Sequence, residues 1–196
     1  MVCVPNAERC IITGIRPPDA GHLKARTIAS VPRVPWAAAR WESMASMKPI
    51  APDLRMNFPR SPNTELAGLV HLARMLDKAR AKAAGTLGEY IFPCPLDDAL
   101  LAYLGVSGDH LQRVAQDRDD AGVVAWLAQA ASRHSDTERA AWNAEFRRRR
   151  PRTEESARRF QAIRDRVATD RTDVTTWPDL LDLEEGRPVP PRVRPA

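Results

Sequence analysis

The side chains best able to do chemistry lie between positions 77 and 97. Asp77, Lys78, Arg80 and Lys82 fall within six residues, and Glu89, Tyr90, Cys94 and Asp97 follow. Two carboxylates, an ammonium, a phenol and a thiol are the parts of acid–base and nucleophilic catalysis when they converge on one cavity. An enzyme acting on a small molecule would draw on Asp77, Lys78, Glu89, Tyr90 and Cys94. The same stretch, with Arg80, Lys82 and Asp97 included, equally suits a site for a small anionic ligand or an acidic segment of a partner. No Ser/His/Asp order, phosphate-cradling glycine loop or metal-ligand spacing accompanies these residues. We therefore assign no catalytic residue and expect no metal or cofactor. A ligand- or partner-binding, regulatory domain is the preferred function, with the enzyme as the alternative.

The element that must position them is the longest periodic segment of the chain. Asn63 or Thr64 is a suitable helix N-cap, and Gly85 and Gly88 are suitable stops. At about 100° per residue, Leu66, Leu69, Leu72, Ala73, Leu76, Ala79 and Ala83 share an apolar arc, while His71, Arg74, Lys78 and Lys82 form a polar stripe on the other side. Charge stripes of this kind usually face solvent. Arg80 breaks the pattern by projecting into the apolar arc. A guanidinium does not lose its proton, so if buried it needs a carboxylate. Asp77 is the nearest candidate, with Glu89 or Asp97 folding back as the others. Such an arginine is either a structural ion pair or the anchor of an anion pocket.

Downstream, Tyr90-Ile-Phe-Pro-Cys-Pro reads as extended chain, its prolines on both sides of Cys94 restricting the backbone. Short helices are then expected through Leu100–Leu104 ending at Gly105, from Ser107 to Ala115, and from Asp119 or Asp120 through Leu127. Ser135-Asp-Thr-Glu138 is a capping box, and the helix it opens should present Ala141, Trp142, Glu145 and Phe146. Thr153 caps a helix with Phe160, Ile163 and Val167, and Thr176 caps another with Pro178 in its first turn. Together these predict an all-α fold: a compact bundle of about six to seven short helices without significant sheet.

Composition narrows the function classes. The formal charge is +5, but residues 1–46 carry six basic and three acidic groups, so more than half of the excess lies there. Arg147 to Arg150 form a basic run at a helix end, where arginine favours the dipole, and Glu154 and Glu155 follow. Nucleic-acid binding through that run is the least favoured function. Cysteines 3, 10 and 94 make neither a disulfide framework nor a zinc signature. No apolar run reaches the roughly 18 residues needed to span a bilayer, so the expected compartment is the cytoplasm. Residues 1–46, with five prolines and no sustained period, are expected to lie outside the domain, either as a disordered, flexible extension or, the favoured reading, as a translated upstream region ahead of the true start at Met44 or Met47. The domain is expected over 47–186 and a flexible tail over 187–196. His71, His110 and His134 fall on separate predicted helices. Trp142 and Trp177 can line an interface, and the oligomeric state is left open.

The string Pro59-Arg-Ser-Pro62, Leu76-Asp-Lys-Ala-Arg-Ala-Lys82, Gly88-Glu-Tyr90 and Cys94-Pro-Leu-Asp97 resembles the bacterial family named domain of unknown function 5069. Tyr103-Leu-Gly105, Ala125-Trp-Leu127 and Leu180-Leu-Asp-Leu-Glu-Glu-Gly186 continue the resemblance, which spans about residues 50–187. It implies a small helix-rich cytosolic protein and brings no catalytic residues with it.

Overall fold

The computed structural model describes residues 49–131 and 134–191. The chain divides into two units, Met1–Ser43 and Met44–Ala196, and every described residue belongs to the second. The predicted extension over residues 1–46 and the last residues of the predicted tail, 192–196, lie outside the described part.

The described residues fold as an all-helical bundle entered through a small hairpin. β1 (Glu65–Leu66) pairs antiparallel with β2 (Leu69–Val70), Leu66 opposite Leu69. Seven helices follow: α1 (Leu72–Ala83), α2 (Pro95–Leu104), α3 (Gly108–Asp117), α4 (Asp120–Ala131), α5 (Asp136–Arg147), α6 (Glu154–Val167) and α7 (Trp177–Glu184). None of the described helices is long and apolar enough to cross a membrane. The expected caps at Ser107, Ser135, Thr153 and Thr176 each accept a backbone N–H of the first turn, and Gly105 closes α2 in the left-handed conformation.

The central helix starts later than its periodicity predicts. Asn63 and Thr64 cap nothing; the chain turns at Ala67 (φ 51°) and Gly68 (φ 73°) and enters α1 only after His71. Positive φ at both central residues is what a tight hairpin requires. Asn143 on α5 holds it there: its Oδ1 accepts the Val70 N–H at 3.1 Å and its amide donates to the Gly68 carbonyl at 2.8 Å. A side chain 73 positions away thus outweighs the local helical pattern. Leu69 still reaches the core, but from β2, and Ala83 is exposed at the helix end.

The main core gathers Leu72, Leu76 and Ala79 of α1 with Leu100, Leu104, Leu111 and Val123 from the three helices that follow. Phe160, Val174 and Leu180 form a second cluster where α6 meets α7. Because α3 packs on one flank of α1 while other segments close the remaining sides, α1 is buried almost all round: Arg74, Lys78 and Arg80 are buried along with its leucines. The predicted solvent-facing stripe is therefore corrected. His71, Arg74 and Lys78 lie inside, and only Lys82 is exposed.

Candidate functional site

A helix sheathed on every side must neutralise its own charges within the chain, since an unpaired buried charge is too costly to keep. Three arrays do so around α1.

The first joins α1 to the N-terminus of α2. Lys78 Nζ donates to Asp97 Oδ2 at 2.6 Å, to Cys94 Sγ at 3.2 Å and to the Ile91 carbonyl at 3.3 Å. Each of its three protons has an acceptor. Asp97, fully buried, also accepts the Cys94 backbone N–H at 2.8 Å and faces His71 Nε2 at 2.9 Å. Burial alone would raise the Asp97 pKa, but the His71 hydrogen bond and the Lys78 charge outweigh it and hold it at about 2. His71 Nδ1 is buried without a partner. The geometry therefore assigns the imidazole proton to Nε2: a lone pair at Nδ1 is tolerable there, whereas an added N–H would be an orphan donor. Burial accordingly pushes the His71 pKa down to about 4, with Asp97 offsetting only part of the effect. Burial also pushes the Cys94 thiol up, helped by the Asp97 charge and opposed by Lys78.

The second array ties α1 to α7. Arg74 grips Glu185 with two parallel bonds of 2.8 and 2.5 Å, and Tyr90 donates to the same carboxylate at 2.8 Å. The Arg74 guanidinium lies 5.5 Å over the Tyr90 ring. Burial and the neighbouring Glu185 push the Tyr90 phenol well above its usual range. Arg187 bonds Glu185, Asp182 and the Pro59 carbonyl, and Val189 packs on the second core cluster, so this end of the predicted tail is anchored.

The third array corrects the predicted partner of Arg80. That side chain is buried, as its position requires, but it pairs with Asp120 at 2.6 Å and donates to the Ala115 and Arg118 carbonyls. Asp77 pairs instead with Arg60 at 2.7 Å, and Arg60 also reaches Asp120 at 2.5 Å.

Of the eight candidate residues, Lys78, Cys94 and Asp97 are thus in direct contact, and Tyr90 belongs to the Arg74–Glu185 array. Asp77 and Arg80 belong to the separate Asp120 network. Lys82 sits outside, its ammonium bonded to the Phe92 carbonyl at 3.0 Å, and Glu89 is exposed. Sequence reasoning passed over Arg60, Arg74, Asp120 and Glu185 as site members and treated His71 as surface. The available signal was the spacing 71, 74, 78 along one helix face, which is as consistent with a buried ion-pair seam as with a wet stripe.

Residues 56–187 match the model of a family described as Domain of unknown function (DUF5069). The chain belongs to this family. No curated protein matches it. The matched segment contains every member of the three arrays, from Arg60 to Arg187, so the DUF5069 domain as bounded here includes both the central helix and all its counter-ions. One subset of those residues also has metal-ligand chemistry: His71, Cys94 and Asp97 hold a nitrogen, a sulfur and an oxygen within 4.8 Å of one another. The Lys78 ammonium already bonds two of the three. A metal ion would have to displace that charge and ionise a thiol whose pKa is raised, so the donor set as built suits the tethered ammonium better.

Proposed function

We propose that this DUF5069 protein is a non-catalytic ligand- or partner-binding domain of the cytoplasm, with its recognition surface around the exposed ammonium of Lys82. The observation that carries this is the saturation of Lys78: three donors meet three in-chain acceptors. A lysine acting as nucleophile or base needs its neutral amine, and a cysteine nucleophile needs its thiolate. Here the ammonium is locked in place, the thiol is held protonated, and the one imidazole nearby is sealed in the core. Lys82, exposed at the end of α1 with a single carbonyl partner, keeps donors for a carboxylate or phosphate oxygen from a small metabolite or an acidic partner segment.

The enzyme alternative keeps one supporting observation, the 3.2 Å contact between Lys78 Nζ and Cys94 Sγ, since a cation beside sulfur favours the thiolate. Alkylation with iodoacetamide, located by mass spectrometry, separates the two. The binding domain predicts that Cys94 reacts no faster than free glutathione at neutral pH; a rate about tenfold or more above glutathione would support thiol catalysis instead. A thermal-shift screen against metabolites and acidic peptides should then find a stabilising ligand without turnover. Lys82→Gln should abolish the shift while leaving the unliganded melting temperature unchanged.

A further inference from the structure

A second site stands apart from α1, where α5 runs out into the segment leading to α6. A cleft of about 450 Å³ opens there, lined by Arg148, Arg149, Arg150 and Arg152, with Glu145 as the lone carboxylate and Ala141 and Ala144 as small apolar contacts. Arg149 is the informative member. Its Nε is buried and has no hydrogen-bond partner. Every other arginine that is buried or half-buried among the described residues holds a carboxylate in ion-pair range: Arg60, Arg74 and Arg80 around α1, and Arg139, Arg147, Arg164, Arg171 and Arg187 elsewhere. Arg149 has none, although the chain supplies counter-ions for all the rest.

Nor is it loosely placed. The Arg149 amide donates to the Phe146 carbonyl at 3.1 Å, its own carbonyl accepts the Trp177 N–H at 2.8 Å, and its guanidinium lies 5.6 Å over the Phe146 ring. Burial works against its charge, Glu145 compensates in part, and Arg152 adds repulsion. A positioned, partly desolvated guanidinium with an unpartnered Nε and only partial compensation of its charge gains from an anion supplied from outside.

We propose that this cleft is a binding site for the phosphate group of a small organic phosphate, with Arg149 as its central donor and Arg152 beside it. A fork of parallel N–H groups fits phosphate oxygens, and several guanidiniums around one cleft suit a dianion better than a single carboxylate. The volume is that of a small-molecule pocket. Glu154 and Glu155 follow at once and interrupt the basic surface that a nucleic-acid backbone would need to track. The site is independent of the surface proposed around Lys82, and it stands or falls separately.

Isothermal titration of the full chain with inorganic phosphate and with glycerol 3-phosphate, in chloride buffer, tests it. We expect one saturable site of about 1 mM or tighter for the ester. Arg149→Met, which keeps the aliphatic stem on Phe146, should weaken it by about tenfold or more. Without phosphate, the same variant should melt no lower than the parent, because an unpaired charge has been removed. Arg152→Gln, at an exposed position, should weaken binding with the fold retained and serves if Arg149→Met does not fold. Absence of saturation by either phosphate, or saturation unchanged in Arg152→Gln and in a folded Arg149→Met, overturns the proposal. So does binding confined to a duplex oligonucleotide with steep salt dependence, which would make the cleft a nucleic-acid contact.

Discussion

The sealed imidazole makes the stability of this domain depend on pH in a window where few other groups titrate. In the unfolded chain His71 takes up a proton near its ordinary pKa of 6.5; in the folded state it does so only near 4. Between those values the unfolded state binds more protons, so stability falls as the pH falls. With a limiting slope of about 1.36 kcal/mol per pH unit that is reached only between the two pKa values, acidifying from 6.5 to 4.5 should remove roughly 2 kcal/mol, a large share of the ~5–15 kcal/mol typical of a domain. Urea melts followed by tryptophan fluorescence at intervals across that range measure the slope directly. His71→Asn is the control. Asparagine accepts the left-handed backbone at φ 68° and does not titrate; it is too short to replace Nε2 as donor to Asp97, so its stability is lower throughout and only the slope is compared. Its slope between pH 6.5 and 4.5 should be much flatter than the parent's. A parent curve flat over this window, or an equal loss in His71→Asn, would refute the sealed neutral imidazole. Below about pH 4 a second loss should begin in both proteins. The folded Asp97 pKa, lowered from 3.8 to about 2, makes its contribution present above 3.8 and lost as the pH falls towards 2.

Asp97→Ala should cost about 3–5 kcal/mol in urea denaturation, because it strands a buried ammonium; a Lys78→Met/Asp97→Leu double variant should recover most of that. Asn143→Leu should cost about 1–3 kcal/mol, since the buried Val70 N–H loses its acceptor and the Gly68 carbonyl, at an exposed turn, loses a donor that water can replace; Asn143→Asp, which keeps an acceptor for Val70, should cost less. Gly88→Ala places a Cβ 2.9 Å from the Leu54 carbonyl oxygen at a φ of 63°, whereas Gly85→Ala meets nothing within 4 Å at a φ of 70°. Both should lose about 1 kcal/mol for the left-handed backbone, and Gly88→Ala should lose clearly more, read as the difference in melting temperature.

The helical class was legible because capping residues and apolar spacing agree segment by segment: Ser107, Ser135, Thr153 and Thr176 sit ahead of well-patterned runs, and Gly105 ends one. The hairpin was not, because residues 64–71 have a helical pattern and the group that overrides it, Asn143, lies on α5. Arg80 was readable as buried from its place in the apolar arc, but its partner was not. Local spacing favours Asp77, while the actual carboxylate, Asp120, comes from a helix start 40 positions on. The His71, Arg74 and Lys78 stripe failed for a related reason. Periodicity tells which residues share a face, not whether another segment covers that face, and here α2 and α7 each bring an acid to it.

The arrays around α1 and the cleft at the end of α5 differ in how their charge is resolved. Around α1, Arg74, Lys78 and Arg80 each meet a dedicated carboxylate brought from α7, α2 and α4 respectively. Such pairs orient the helices they join and hold the bundle in register. At the end of α5 the opposite holds. Arg149 is fixed by backbone bonds at both its N–H and its carbonyl, yet its buried Nε has no hydrogen-bond partner among the described residues, and Glu145 offsets the cost of its burial only in part. An apolar side chain over Phe146 would pack as well without the desolvation penalty, whereas an anion from outside would give the charge a full partner. The phosphate-free melting temperature of Arg149→Met, compared with that of the parent, reads the sign of this balance before any ligand is added.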